Sequence, residues 1–514
     1  MDYKVLTQAI GMNEITYEGG VEQQVDSDIT LPDYCPDIQR ILKCSITPKI
    51  TGVQTAGDRV TADGAALVKI VYVCENGKVR CFEQNYPFSK FVEMKNIVDS
   101  SCVFVRAKTD YANCRAISPR RADVHGMITV TFRALRKKEE KIVCGAEGAG
   151  IQLKKQNFCA ASVIGDVERA FPMSEVIEIG QSKPPAAQII RCNAVAVLND
   201  VKVINNKLLL KGELLLNILY CADTKENEIE TFDHSMPISQ IIELEGITED
   251  CDCDTRLFVT AVDVCPKADS SGEMRLLDIS ARVCADIHAS TRMEIPVVSD
   301  AYSTRHELKM DHKTVDFLKL ADMMNDAFMA KSALDLSGMG VSSLLDIWCG
   351  DPTGTAYVRD DELIVSGTLT VHILYKDKDS QPGYAERQIG FENKRSLKAP
   401  ITRLICEPTL IVTACGYNMS GENKVDIRVE LNVNGAVYSM DSDRLITAME
   451  PNELQEKKSG SSALTIYFPG PGEHVWEIAR KYNTTIESVM QENNLASDIL
   501  DGNAMLLIPG VAKE

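Results

Sequence analysis

Three stretches decide the fold: GAALVKIVY from Gly64 to Tyr72, GELLLNILY from Gly212 to Tyr220, and GTLTVHILY from Gly367 to Tyr375. In each, a glycine and a tyrosine stand eight positions apart. Apolar residues fill alternate places between them: Ala66, Val68 and Ile70, then Leu214, Leu216 and Ile218, then Leu369, Val371 and Ile373. A period of two is the signature of a β-strand with one buried face. Lys69, Asn217 and His372 fall on the other face, which meets water or a polar neighbour, so His372 is expected at the surface rather than as a ligand.

Working outward, each strand is followed by a second matched pair of runs. VFVRAKTDY begins at Val103, LFVTAVDV at Leu257 and LIVTACGY at Leu410; a turn-rich gap then leads into ADVHGMITVTF from Ala122, LDISARVCADI from Leu277 and VDIRVELNV from Val425. Both runs alternate, and Asp123, Asp278 and Asp426 mark the second one, so each pair reads as a hairpin. The gaps differ in content (SPRRA, PKADSSGEM, NMSGEN), as loops on a recurring framework do. Glycine-to-glycine intervals of 148 and 155 residues are far longer than a solenoid unit. The expectation is a mainly β protein of three repeated all-β, sandwich-like domains.

The rest of the chain is read from composition. Lys313 to Lys331 contains helix formers and neither Pro nor Gly, which predicts a connecting helix, and Val167 to Gln181 has a similar mixture. ELQEKKSGSS, from Glu453 to Ser462, has the charge and Gly/Ser content of a tether. The resulting division is an N-terminal segment 1–20, β domains at 21–150, 165–300 and 336–445, a connecting segment of helix-forming composition at 301–335, a flexible linker at 446–463 and a small module at 464–510.

Charge and cysteine usage narrow the function. With 55 Lys plus Arg against 74 Asp plus Glu the net charge is −19, which repels phosphate backbones and anionic lipid. The first residues lack the basic start and apolar stretch of a secretory signal, and the most apolar run, Leu208 to Tyr220, is interrupted by Lys211, Glu213 and Asn217. Seventeen scattered cysteines with no C-x-x-C are expected to be reduced, buried or incidental thiols in a cytoplasmic protein. No cofactor and no metal are expected: His306 and His312 around Asp311 lack metal-binding spacing and read as a charged loop. The glycines of CGAEGAG at Cys144 fit no phosphate-loop pattern and read as an interdomain turn. Arg120 and Arg121 form too small a basic patch for nucleic acid, and Asp360, Asp361 and Glu362 read as an exposed cluster before a strand. No nucleophile–base signature is written, so catalytic residues are expected to be absent.

From Leu464 the pattern changes. LTIYF reads as a short strand and PGPG as a turn; Val475, Ile478, Ala479 and Tyr482 then fall at i, i+3, i+4 and i+7, one face of a helix. Thr484 and Glu487 fit a capping box opening a second helix, with Ile486, Val489 and Met490 on its inner face, and MLLIP from Met505 to Pro509 reads as the closing strand of a βααβ unit. This segment resembles the LysM module. Tyr467, Gly472, Trp476, Ile478, Ala479, Asn493, Asn494, Gly502, Leu506 or Leu507, Ile508 and Pro509 match, while Pro469, Glu473, His474, Asp501 and Asn503 depart from the pattern. The resemblance implies a shallow groove for an N-acetylglucosamine-containing glycan such as peptidoglycan. One side would be Gly472, Glu473, His474 and Val475, and the other Leu495, Ala496, Ser497, Asp498 and Ile499. His474 lacks the hydroxyl that the family uses there. Tyr467, Trp476, Ile478, Ala479 and Ile508 are expected to form the module's core.

Three G-x7-Y β domains, the stretch LPDYCPDIQRIL from Leu31 to Leu42 and a terminal LysM module together resemble the SipL-like SPOCS-domain family of clostridial spore-morphogenesis proteins. That resemblance implies a non-catalytic adaptor of spore-coat assembly in the mother-cell cytoplasm, at the forespore surface. Its LysM module would dock a SpoIVA-type coat morphogenetic ATPase, and its β domains would give further partner contacts. The alternative is a peptidoglycan-binding LysM protein.

Overall fold

The computed structural model describes residues 3–95, 102–148, 150–224, 228–398, 400–421, 423–457, 463–500 and 505–510. Three all-β domains follow one another. The first holds β1 (Lys4–Thr30), β2 (Ile38–Ala56), β3 (Arg59–Cys74), β4 (Val79–Glu93), β5 (Cys102–Ser118) and β6 (Arg121–Glu147). The second repeats the order with β7 (Ile151–Glu178), β8 (Ala186–Ile204), β9 (Lys207–Ala222), β10 (Ile229–Glu243), β11 (Cys251–Lys267) and β12 (Leu276–Ser303). The third comprises β13 (His306–Asp335), β14 (Val341–Arg359), β15 (Glu362–Asp377), β16 (Pro382–Ser396), a short β17 (Leu404–Ile405), β18 (Thr409–Gly421) and β19 (Lys424–Glu456). Each domain packs two antiparallel sheets face to face. In the first domain the inner sheet runs β1-β6-β5 and the outer one β2-β3-β4; the others follow as β7-β12-β11 with β8-β9-β10, and β13-β19-β18 with β14-β15-β16.

The glycine and tyrosine of the repeat now have physical roles. A Cβ at Gly64, Gly212 or Gly367 would lie less than 3.0 Å from the carbonyl oxygen of Lys49, Val197 or Thr353 on the neighbouring strand, so only glycine fits. The tyrosine closes the other end of the strand. In the first two domains the Tyr72 hydroxyl donates to the Pro36 carbonyl (3.1 Å) and that of Tyr220 to the Pro184 carbonyl (3.0 Å), pinning the loop that enters the outer sheet. Arg120, read from the sequence as a basic patch, completes this clamp: it donates to the carbonyls of Pro32 (2.7 Å) and Leu31 (3.2 Å) and pairs with Asp37 (2.9 Å). Asp360 and Asp361 form the two-residue β14–β15 turn, both with positive φ.

The domains begin earlier and end later than composition indicates. Residues 1–20 are not a separate segment: from Lys4 they form the first part of β1, paired with the end of β6. Residues 301–335 hold no connecting helix, because Lys313–Lys331 lies within β13 and pairs with β19 along its length. Val167–Glu178 is likewise strand, within β7. Val315, Phe317 and Met324 are buried while Asp316 and Asn325 are exposed, and cross-strand pairing overrides helix propensity. His306 is not in a charged loop but buried at the start of β13; His312 and Asp311 are exposed on the same strand.

The first and last strands of each domain thus form a ribbon extending past its own sandwich. The three ribbons share one core: Ile10, Ile142, Phe158, Ala160, Ile295, Val297, Val315, Phe317 and Leu445 come from β1, β6, β7, β12, β13 and β19. Phe158 and Phe317 meet with ring centroids 4.1 Å apart. A second shared core joins the outer sheets, where Val71, Leu219 and Leu374, each one residue before the repeat tyrosine, meet in one cluster. One repeat position meeting its two counterparts means the domains close on one another with approximate threefold symmetry.

Polar residues at that junction differ between repeats. Lys43, Arg191 and Asp346 occupy equivalent positions opposite Val71, Leu219 and Leu374. Arg191 pairs with Asp346 (2.9 Å), and Lys43 reaches Glu386 (3.2 Å). His372 is not at the surface: it is buried, its Nδ1 lies 2.7 Å from the Tyr384 hydroxyl and 3.0 Å from Lys43 Nζ, and its ring stacks on Trp348 at 5.0 Å. The CGAEGAG stretch turns the chain from β6 into β7, with positive φ at Gly148 and Gly150. Replacing Gly212 by Val should force β8 away from β9 and destabilise the chain by about 1–3 kcal/mol, seen as a lower urea midpoint.

Candidate functional site

A cavity of about 940 Å³ lies between the outer sheet of the first domain and strands β8 and β11 of the second, with Trp348 and His372 of the third domain also lining it. Lys43, Lys49, Lys69 and Arg191 line it, yet each pairs with a carboxylate: Glu386, Asp263 (3.4 Å), Glu83 and Asp346. Charges matched in this way leave little net field for a ligand. Among the described residues no group of three or more His, Cys, Asp or Glu could hold a metal ion. The candidate site is therefore the C-terminal module.

That module consists of β20 (Leu464–Tyr467), α1 (Val475–Lys481), α2 (Ile486–Glu492) and β21 (Leu506–Pro509), with β20 and β21 antiparallel. Val475, Trp476, Ile478, Ala479, Val489, Leu500, Leu506 and Ile508 are buried together, and Tyr467 packs against them. Asn493 explains half of the Asn-Asn signature. Its amide donates to the carbonyls of Val489 (2.8 Å) and Leu507 (2.7 Å), and its oxygen accepts from the Leu507 N–H (2.7 Å), so one side chain ties α2 to β21. Asn494 takes the positive φ that ends the helix. The capping residue of α2 is Thr485, one position later than the capping box read from the sequence; its hydroxyl accepts from the Ser488 N–H (3.1 Å), while Thr484 is buried.

The structure brings the two candidate loops together. Gly472 donates its N–H to the Leu500 carbonyl (2.8 Å), Leu500 to Glu473 (3.0 Å) and Val475 to Asp498 (2.8 Å). His474, the N-cap of α1, makes no side-chain cap bond. Asp498 compensates from the opposite loop, accepting from the Trp476 N–H (3.2 Å) on one oxygen and lying 3.2 Å from His474 Nδ1 on the other. Glu473 is also engaged, accepting from the Tyr467 hydroxyl (3.1 Å) and the Gly470 N–H (3.0 Å). Gly472, Ala496, Ser497 and Ile499 stay exposed, and Val475 is buried. The polar side chains of the groove are thus largely committed to holding the loops. Asp501, Gly502 and Asn503 lie outside the described residues.

Sequence reading missed what the module sits on. Trp476 faces β12 of the second domain: its indole N–H donates to Asp300 (2.8 Å), and Tyr302 meets its ring edge-on with centroids 4.9 Å apart. The Tyr302 hydroxyl donates to the Thr484 carbonyl (2.7 Å), and Arg480 also pairs with Asp300 (2.8 Å). Burial raises the Tyr302 pKa, which keeps this hydroxyl a donor. Strand β19 continues to Glu456, shortening the expected linker, and residues 458–462 of the ELQEKKSGSS stretch lie outside the described residues.

Comparison with known proteins bears on both parts. A family model described as SipL, SPOCS domain matches residues 37–117 and 185–267, and a LysM domain model matches 470–509. The chain therefore carries two segments similar to the SipL SPOCS domain and a C-terminal LysM domain. The matched SPOCS segments span β2 to β5 and β8 to β11, and the third domain, outside those matches, repeats the same strand order. No curated protein and no solved structure matches the chain. SPOCS and LysM are non-catalytic binding domains, and together they fit a sporulation-related protein carrying a peptidoglycan-binding module. Among the described residues no helix is long and apolar enough to cross a membrane.

Asp300→Ala leaves the Trp476 indole and Arg480 without their shared acceptor. It should weaken docking of the LysM domain on β12 by about 1–3 kcal/mol. Faster proteolytic release of the C-terminal domain, with the melting of the three-domain body unchanged, is the expected result.

Proposed function

We propose that this SPOCS–LysM protein is a non-catalytic adaptor in spore-coat assembly, acting in the mother-cell cytoplasm at the forespore surface. Its LysM domain docks a SpoIVA-type morphogenetic ATPase, and its β domains offer further partner contacts. One observation supports a protein ligand in particular. Leu464, Ile466 and Phe468 alternate along β20 and its extension and are 45%, 58% and 73% exposed, with Met505 beside the closing strand at 51%. An uncovered apolar strip on so small a domain suits a protein interface better than a sugar, which needs hydroxyl and amide partners. Those partners are scarce among the groove's side chains, where Glu473 accepts from Tyr467 and Gly470 and Asp498 bonds to His474 and the Trp476 N–H.

Titration of the full chain with purified SpoIVA-type ATPase and, in parallel, with N-acetylglucosamine oligomers tests the proposal. ATPase binding is expected, and Ile466→Glu should weaken it at least tenfold, about 1.4 kcal/mol, with little change in melting temperature. Oligomer binding without ATPase binding would replace the adaptor reading with that of a peptidoglycan-binding protein.

A further inference from the structure

Two of the three sandwiches hold a pair of cysteines facing each other across the gap between their sheets. In the third domain, Cys349 of β14 and Cys415 of β18 have their sulfurs 3.0 Å apart. In the first, Cys44 of β2 and Cys114 of β5 pack against the same core from the two facing sheets and interact through their side chains. Both pairs sit at the seam where the first strand of the outer sheet meets the edge strand of the inner sheet. They are widely separated in sequence, so only the fold brings them together.

The second domain supplies an internal control. Cys44 lies opposite Ile70, two residues before the repeat tyrosine, and Cys192 lies opposite Ile218, the same position of the next repeat. Cys114 lies opposite Val124, one residue after the hairpin aspartate; the matching place in the second domain, opposite Ile279, is Val264. Cys192 therefore has the position but not the partner.

We propose that Cys44–Cys114 and Cys349–Cys415 are two built-in disulfide sites, each stapling the two sheets of its own domain when the protein meets a low-molecular-weight disulfide. In each pair at least one cysteine is partly exposed and the other can complete the bond: Cys44, Cys114 and Cys415 are partly exposed, whereas Cys349 is buried. The accessible thiolate displaces one thiolate from the small disulfide, forming a mixed disulfide. The partner cysteine then gives up its proton to the displaced thiolate or to solvent and attacks the protein sulfur of the mixed disulfide, expelling the second small thiol. Two protein thiols are oxidised and one small disulfide is reduced to two thiols. The Cys349 and Cys415 sulfurs need to close only from 3.0 Å to about 2.05 Å.

The test is to incubate the folded full chain with oxidised glutathione, block remaining thiols with an alkylating reagent and map peptides without reduction. The expected result is intramolecular Cys44–Cys114 and Cys349–Cys415 peptides, with Cys192 still alkylated. The oxidised chain should also melt roughly 3 °C or more higher, a gain that Cys114→Ser with Cys415→Ser removes. Oxidation confined to the exposed Cys159 and Cys265, with all four paired cysteines still alkylated, would overturn the proposal. So would disulfides that link separate chains through any of the four. Because the map is made on the unaltered protein, it decides the matter even where a serine variant folds poorly.

Discussion

The constraint on which the structure depends is the full-length pairing of the first and last strands in each domain. β1 with β6, β7 with β12 and β13 with β19 stay hydrogen-bonded well beyond the sandwich that each pair helps to form. A ribbon projecting from its own core leaves an apolar face that one domain cannot cover. Burying Ile10, Phe158, Phe317 and their neighbours requires all three ribbons at once. The LysM domain depends on the same element, because Asp300 and Tyr302, which receive it, lie near the end of β12.

Much of the fold was legible because period-two burial is written directly into the chain. The three G-x7-Y strands and the hairpins after them are where the alternation places them; the glycine is a packing residue in all three repeats, and the tyrosine clamps the entering loop in the first two. The ribbons were not legible. Their outer halves alternate imperfectly, with helix formers such as Lys319, Leu320, Ala321 and Met323, and what fixes them as strand is β19, more than a hundred residues away in sequence. His372 misleads for the same reason: its position on the outward face of its own sheet says nothing about the neighbouring domain that covers that face.

At the C-terminal site, the LysM pattern located both loops and both short helices, since the module is local and its signature residues tie neighbouring segments together. Single-residue chemistry was harder to foresee. That Asp498 would take over the capping left undone by His474 follows from the two loops meeting, not from either loop alone. Nothing near Trp476 in sequence signals Asp300 or Tyr302, and the paired cysteines become visible only when register is known in both sheets.

The threefold closure also bears on how such a molecule diverges. Three separate copies of one domain, arranged around an axis, would present the same residue at the junction three times, and a lysine there would face two more lysines. Joined in one chain, the copies are free to differ: the position carries Lys43, Arg191 and Asp346, and Arg191 bonds to Asp346 directly. Fusion thus turns a site of unavoidable self-repulsion into one of attraction, and fixes which domain stands next to which.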